Sequence, residues 1–194
     1  MRQVKLTRWY FLVCVGFIIT QAYLAQGFWG NCVDDAAISF QYAKNLALGH
    51  GLCFHSSMSP VEGFSNPIWT MLLAAAYSLG WEDLVVVSKV LGLIFHISTG
   101  LLFCLYGFRH YWPLFILFVL LSFPYNLYWS VTGLENASYG FFLCLAYLCV
   151  KRKLSKSLWV VLGLIIFSRP EGFIFAFIFA VSDQQEKRKS ILMS

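Results

Sequence analysis

Apolar residues run through this chain in long blocks separated by short polar intervals. Segments 9–27, 84–108, 112–129, 134–150 and 157–181 are predominantly apolar, with lengths near the ~20 residues that a membrane-crossing helix needs. A shorter block covers 66–80, and the longest polar interval lies at 28–66. Inside that interval Ala36, Phe40, Ala43 and Ala47 recur at helical spacing. Asp34 has the side chain of an N-cap, Asp35 suits the positive end of a helix dipole, and Gly49 is a natural stop. The pattern predicts a short amphipathic helix over 34–48 lying on the membrane surface. The expected fold is therefore all-α: one membrane domain over 1–194, a polytopic transmembrane helical bundle with this interfacial helix in its first extracytoplasmic loop.

Composition agrees with the pattern. Hydrophobic residues make up 59% of the chain and charged residues 12%, with a mean hydropathy of +0.70; soluble domains carry about 25% charged residues. The net charge of +5 comes from clusters at Arg2/Lys5/Arg8, Lys151/Arg152/Lys153/Lys156 and Lys187/Arg188/Lys189, each beside an apolar run. Such clusters are cytoplasmic topology signals and form no stripe that would read nucleic acid. The first two clusters both prefer the cytoplasm, yet five apolar segments separate them. One segment should then fail to span, and 66–80 is the candidate, as a re-entrant or tilted half-helix, although the run before Pro124 is also short. The N-terminal segment reads as a retained anchor, because 21–27 offers no small-residue cleavage site. Cys14, Cys104, Cys144 and Cys149 sit in apolar segments as small hydrophobes, while Cys32 and Cys53 bracket the polar loop, more readily as two thiols than as a disulfide. No pair has metal-ligand spacing.

Chemistry concentrates in the loop and in a few isolated charges. Adjacent helical residues point about 100° apart, so Asp34 and Asp35 cannot address one atom. One is expected to act as general base while the other caps the helix, holds an acceptor or binds a divalent cation; the plainer alternative is a solvated helix start. Glu62, Glu135, Arg169 and Glu171 interrupt apolar surroundings, where a charge costs several kcal/mol unless paired or hydrated. Arg169 either pairs with Glu171 or Glu135, or reaches a phosphate, for which its donor fork is suited. His50 and His55 are candidates to donate to phosphate or to ligate a metal with Asp34 or Asp35, with a simple polar-loop role as the plainer alternative, and His96 reads as a core hydrogen-bonding residue. Tyr42, Trp69, Tyr125, Tyr128 and Trp129 have the placement of an interfacial aromatic belt or of a stacking surface for a sugar or polyprenyl chain. No phosphate-binding glycine loop, dinucleotide fingerprint, nucleophile elbow or zinc motif is present.

Four segments in a fixed order carry a family resemblance: Asp34-Asp35-Ala36-Ala37-Ile38-Ser39-Phe40-Gln41-Tyr42-Ala43-Lys44-Asn45-Leu46 with Gly49-His50-Gly51; Val61-Glu62-Gly63-Phe64-Ser65-Asn66 with Trp69; Thr132-Gly133-Leu134-Glu135; and Ser168-Arg169-Pro170-Glu171-Gly172. The chain resembles the bacterial membrane glycosyltransferases of the GT-C superfamily, in the branch of arabinofuranosyltransferases and mannosyltransferase-like proteins. The resemblance implies a multi-pass enzyme of the bacterial inner membrane, working on the cell envelope. It implies transfer of a sugar from a polyprenyl-phosphate donor to a glycan, lipid or protein acceptor on the outer side. Asp34 and Asp35 match the paired acids of the first loop, one of which the resemblance makes catalytic; Glu62, Glu135, Arg169 and Glu171 match motif positions of unassigned role. In chemical terms a carboxylate would deprotonate the acceptor hydroxyl, and Arg169, Lys44 or a histidine would stabilise the leaving phosphate. The resemblance also implies a considerably longer chain, which leaves a truncated reading frame, a split form with a separate C-terminal half or a genuinely short form as the alternatives. The competing reading is a non-catalytic membrane protein that binds lipid phosphate or partners such a half; a transporter fits less well, because most ionisable groups lie in the first loop and not at mid-membrane.

Overall fold

The computed structural model describes residues 8–55, 63–103, 119 and 121–192. Among them are eight helices and no strand: α1 (Arg8–Gln26), α2 (Asp34–Ala47), α3 (Pro67–Ser78), α4 (Leu84–Leu102), α5 (Pro124–Ser130), α6 (Asn136–Lys151), α7 (Ser155–Ile166) and α8 (Gly172–Leu192). Of the described helices only α4 is long and apolar enough to cross a membrane by length and composition, with Phe11–Gln26 and Ser155–Ile166 as shorter apolar helices.

Local chemistry explains three of the helix starts. Asp83 caps α4, its side chain accepting from the Val86 N–H at 3.0 Å, and α3 and α5 open on Pro67 and Pro124, a position where the missing N–H costs nothing. The start of α2 differs from the sequence expectation. Its N-cap is Val33, held extended while its N–H donates to Thr132 O at 3.1 Å. Asp34 is consequently the first helical residue and caps nothing. Gly49, at φ +82°, supplies the left-handed turn beyond the other end.

Contacts between helices fix their directions. Gln21 of α1 meets His96 of α4, the Phe17 ring lies against Gly100, and buried Lys89 donates its Nζ–H to Trp29 O beneath the Trp29 ring. α1 and α4 are thus antiparallel. α4 and α6 run side by side in the same direction, with the Phe95 ring 5.4 Å from Phe141 and 5.8 Å from Phe142. Gly92 lets α4 touch α5, since a Cβ there would collide with the Ser130 carbonyl. α6, α7 and α8 alternate in direction around a core of Phe142, Ala146, Leu158, Leu162, Ile165 and Ala176.

Three sequence segments change on this view. The 157–181 block is two helices that reverse at 167–171, where Pro170 and Gly172 interrupt the apolar run. The described end of 112–129 bends at Ser122 and Phe123 into the seven-residue α5; α4 runs as expected from Leu84 through Leu102 with Phe103 still in helical backbone, and 104–108 lie outside the described residues. The expected amphipathic helix exists as α2, but its apolar face is not left for lipid. Ala36 and Ala43 are buried, and Ala43 packs with Trp69, Leu73 and Ala74 of α3 and with Leu84 and Val87 of α4. α3 itself has twelve residues, about 18 Å at 1.5 Å per residue, against a hydrocarbon layer of ~30 Å.

Charge separates along the bundle. Ser155 Oγ donates to both carboxylate oxygens of buried Asp183 (3.0 and 3.1 Å), and Lys187 pairs with the same carboxylate at 2.6 Å. This brings Lys151 to Lys156 and Lys187 with Arg188 to one end, while Glu135 and Arg169 stand at the other. Cys32 is exposed, Cys53 is buried, and both are free.

Candidate functional site

All four motif segments, the second from Gly63 onward, contribute residues to the end opposite the basic clusters. Hydrogen bonds to backbone carbonyls stitch the segments and their flanks together: Val33 N–H to Thr132 O, Ile68 N–H to Phe167 O at 3.2 Å, and the Trp69 indole N–H to Gly133 O at 3.0 Å. Gly133 makes the closest approach possible. Its φ of +98° is left-handed backbone, and a Cβ there would sit 3.0 Å from Ala36 Cβ and 3.1 Å from the Phe40 ring.

At the centre is a buried polar relay. Glu135, 4% exposed, accepts at Oε1 from Arg169 Nε (2.6 Å) and at Oε2 from Asn66 Nδ2 (2.6 Å). Asn66 Oδ1 in turn accepts from Ser39 Oγ and Thr70 Oγ1, each at 3.1 Å. Each polar end of Asn66 is thereby occupied, which fixes its amide and satisfies a carboxylate that would otherwise be costly to bury. Arg169 also reaches Glu171 Oε1 through Nη1 at 3.3 Å and lies over the Tyr139 ring, 5.9 Å from its centroid. Burial alone would lower the Arg169 pKa, but the charge and hydrogen bond of Glu135, then those of Glu171, more than offset it and raise the pKa. The guanidinium is a fixed cation.

This relay forms one wall of a cleft of about 210 Å³, lined also by Asp35, Ser39 and Ser65. Asp35 is exposed in the first turn of α2, where the helix dipole favours a carboxylate. A second, larger groove of about 590 Å³ lies beside it, lined by His96, Thr99, Tyr125, Trp129 and Cys144. The two spaces share Leu134 and Arg169. The Trp129 indole N–H is buried without a hydrogen-bond partner, a donor left available beside the groove. A carboxylate open to a cleft and a cation shared with an aromatic groove are together suited to taking a proton on one side and stabilising an anion on the other.

Of the residues singled out from sequence, Asp35, Glu135 and Arg169 line this one cleft, and Glu171 reaches it only through Arg169. Asp34 is exposed one residue earlier and does not line it. Lys44 lies in the last turn of α2, about 14 Å along the helix from Asp35. His55 is exposed, its ring edge-on to Phe54 with 4.9 Å between centroids, and neither it nor His50 lines the cleft. Glu62 lies outside the described residues. No group of three or more His, Cys, Asp or Glu side chains gathers among the described residues. Sequence reasoning gave no role to Asn66, Ser39 or Thr70, whose partners come from three different elements; the one local cue was a polar residue immediately before Pro67. No family model, no curated protein and no solved structure matches this chain.

Proposed function

We propose that the protein is a glycosyltransferase that moves a sugar from a polyprenyl-phosphate donor to an acceptor hydroxyl at the outer face of a bacterial inner membrane, within a polytopic helical bundle. The observation that carries the reading is the position of Arg169, shared between the Asp35 cleft and the larger aromatic groove. The collection of basic clusters at the opposite end supports the orientation, by the preference of such clusters for the cytoplasm.

In this reading the acceptor enters the cleft and Asp35 takes the proton from its hydroxyl as that oxygen bonds to the anomeric carbon. The bond from that carbon to the phosphate oxygen breaks in line, its electron pair stays with the phosphate, and the anomeric centre inverts. Negative charge develops on the leaving phosphate beside Arg169, whose remaining N–H groups donate to it. Glu135 holds the guanidinium in place through Nε, and Asn66 holds Glu135. The apolar groove, with the free Trp129 N–H, accommodates the lipid-bearing side of the donor.

The test is transfer of a labelled sugar from polyprenyl phosphate by the purified protein. Wild type should turn over, and Arg169→Lys, which keeps the charge for Glu135 but loses the fork, should lower turnover about 10²-fold. Binding of the lipid phosphate without turnover would replace this reading with the non-catalytic one.

A further inference from the structure

A third space, a groove, lies on the outer face of the α7–α8 hairpin, at the basic end and away from the acid cleft. It encloses about 360 Å³, with Trp159, Phe177, Ala180 and Val181 as its apolar walls and Gln184, Gln185 and Arg188 at its rim. Trp159 and Phe177 are 60% and 71% exposed, and the apolar surface continues along α8 through Ile174 and Ile178. Polarity changes within one turn, from Val181 to Gln184. That sequence of surfaces matches the boundary between acyl chains and headgroups, with a tryptophan at the level where indoles gather.

Charge selects the headgroup. Lys187 is already neutralised by Asp183, whereas Arg188 makes no hydrogen bond or ion pair among the described residues. The Asp183 carboxylate also holds the start of α7 through Ser155, so the walls are fixed before anything binds. We infer that this groove binds one anionic phospholipid of the bilayer. Its phosphate sits on the Arg188 guanidinium, its ester carbonyls accept from the Gln184 and Gln185 amides, and an acyl chain lies between Trp159 and Phe177. The occupant is a structural lipid that braces the hairpin ending in Arg169, distinct from any lipid-linked substrate.

Native mass spectrometry of the purified full chain, equilibrated with equal amounts of phosphatidylglycerol and phosphatidylcholine, tests this independently of transfer. Wild type should retain one phosphatidylglycerol with about a fivefold preference, the increment expected of one basic side chain near an anionic surface. Arg188→Gln should abolish the preference, Lys156→Gln should keep it, and Phe177→Ala should weaken retention of both lipids. Equal retention of the two lipids by wild type, an equal loss of preference in Lys156→Gln, or unchanged retention in Phe177→Ala would each overturn the site.

Discussion

Replacing Glu135 by Gln removes one charge from the centre of the relay and keeps its shape. The amide cannot satisfy both neighbours. Asn66 Nδ2 donates at one oxygen and Arg169 Nε at the other, so either orientation of the new amide sets an NH2 group against a donor. Asn66 cannot turn to compensate without giving up Ser39 and Thr70. Breaking a fully buried ion pair costs about 3–5 kcal/mol. Here the Glu135 side chain is 5% exposed but that of Arg169 is 30%, so the arginine regains solvation and keeps its second partner, Glu171. The cost then falls to that of a lost charged hydrogen bond, about 1.5–3 kcal/mol, or a melting shift of about 3–12 °C for a chain of this size. Glu171→Gln removes the longer, solvated pair, which contributes about 0–1 kcal/mol. Thermal unfolding in detergent, followed by tryptophan fluorescence, should therefore show the Glu135→Gln shift at least about one and a half times that of Glu171→Gln. At about 1 M salt, where screening acts over ~3 Å, the Glu171 effect should vanish and the Glu135 effect persist. Equal shifts for the two variants would refute the assignment of Glu135 as the buried anchor.

Asn66→Ala and Glu135→Ala should be strongly non-additive in the same assay, with a coupling of about 1–3 kcal/mol; additivity would mean that their hydrogen bond does not contribute. Gly92→Ala should destabilise by at least ~1–3 kcal/mol, because the new methyl meets the Ser130 backbone carbonyl. Gly163→Ala, with nothing within 4 Å of its Cβ, should instead stabilise α7 by about 0.5–1 kcal/mol; melting temperatures of the two variants moving in the same direction would contradict this packing.

What sequence could and could not reveal follows the range of each interaction. The body of α2 was legible because its face repeats at helical spacing and Gly49 stops it. Its cap was not, because a hydrogen bond from Val33 to the distant Thr132 displaces Asp34 from that position. Pro170 and Gly172 announced a break in the last apolar block, but whether Arg169 would choose Glu135, Glu171 or a ligand depended on where α6 begins. The structure answers with both carboxylates. Asn66 stayed silent because its role exists only once Ser39, Thr70 and Glu135 are brought around it. The apolar face of α2 looked like a membrane contact because alanines that seat one helix closely on another have the same pattern as alanines facing lipid.

The division of labour between the adjacent acids is where the account is most exposed. Transfer rates of purified Asp35→Asn and Asp34→Asn, each with wild-type melting temperature, measure it directly. We expect Asp35→Asn to lose about 10²–10⁴-fold, the usual contribution of a general base, and Asp34→Asn to stay near the wild-type rate. Full activity in Asp35→Asn, or the large loss falling on Asp34→Asn, would contradict the cleft as the place where the sugar is transferred.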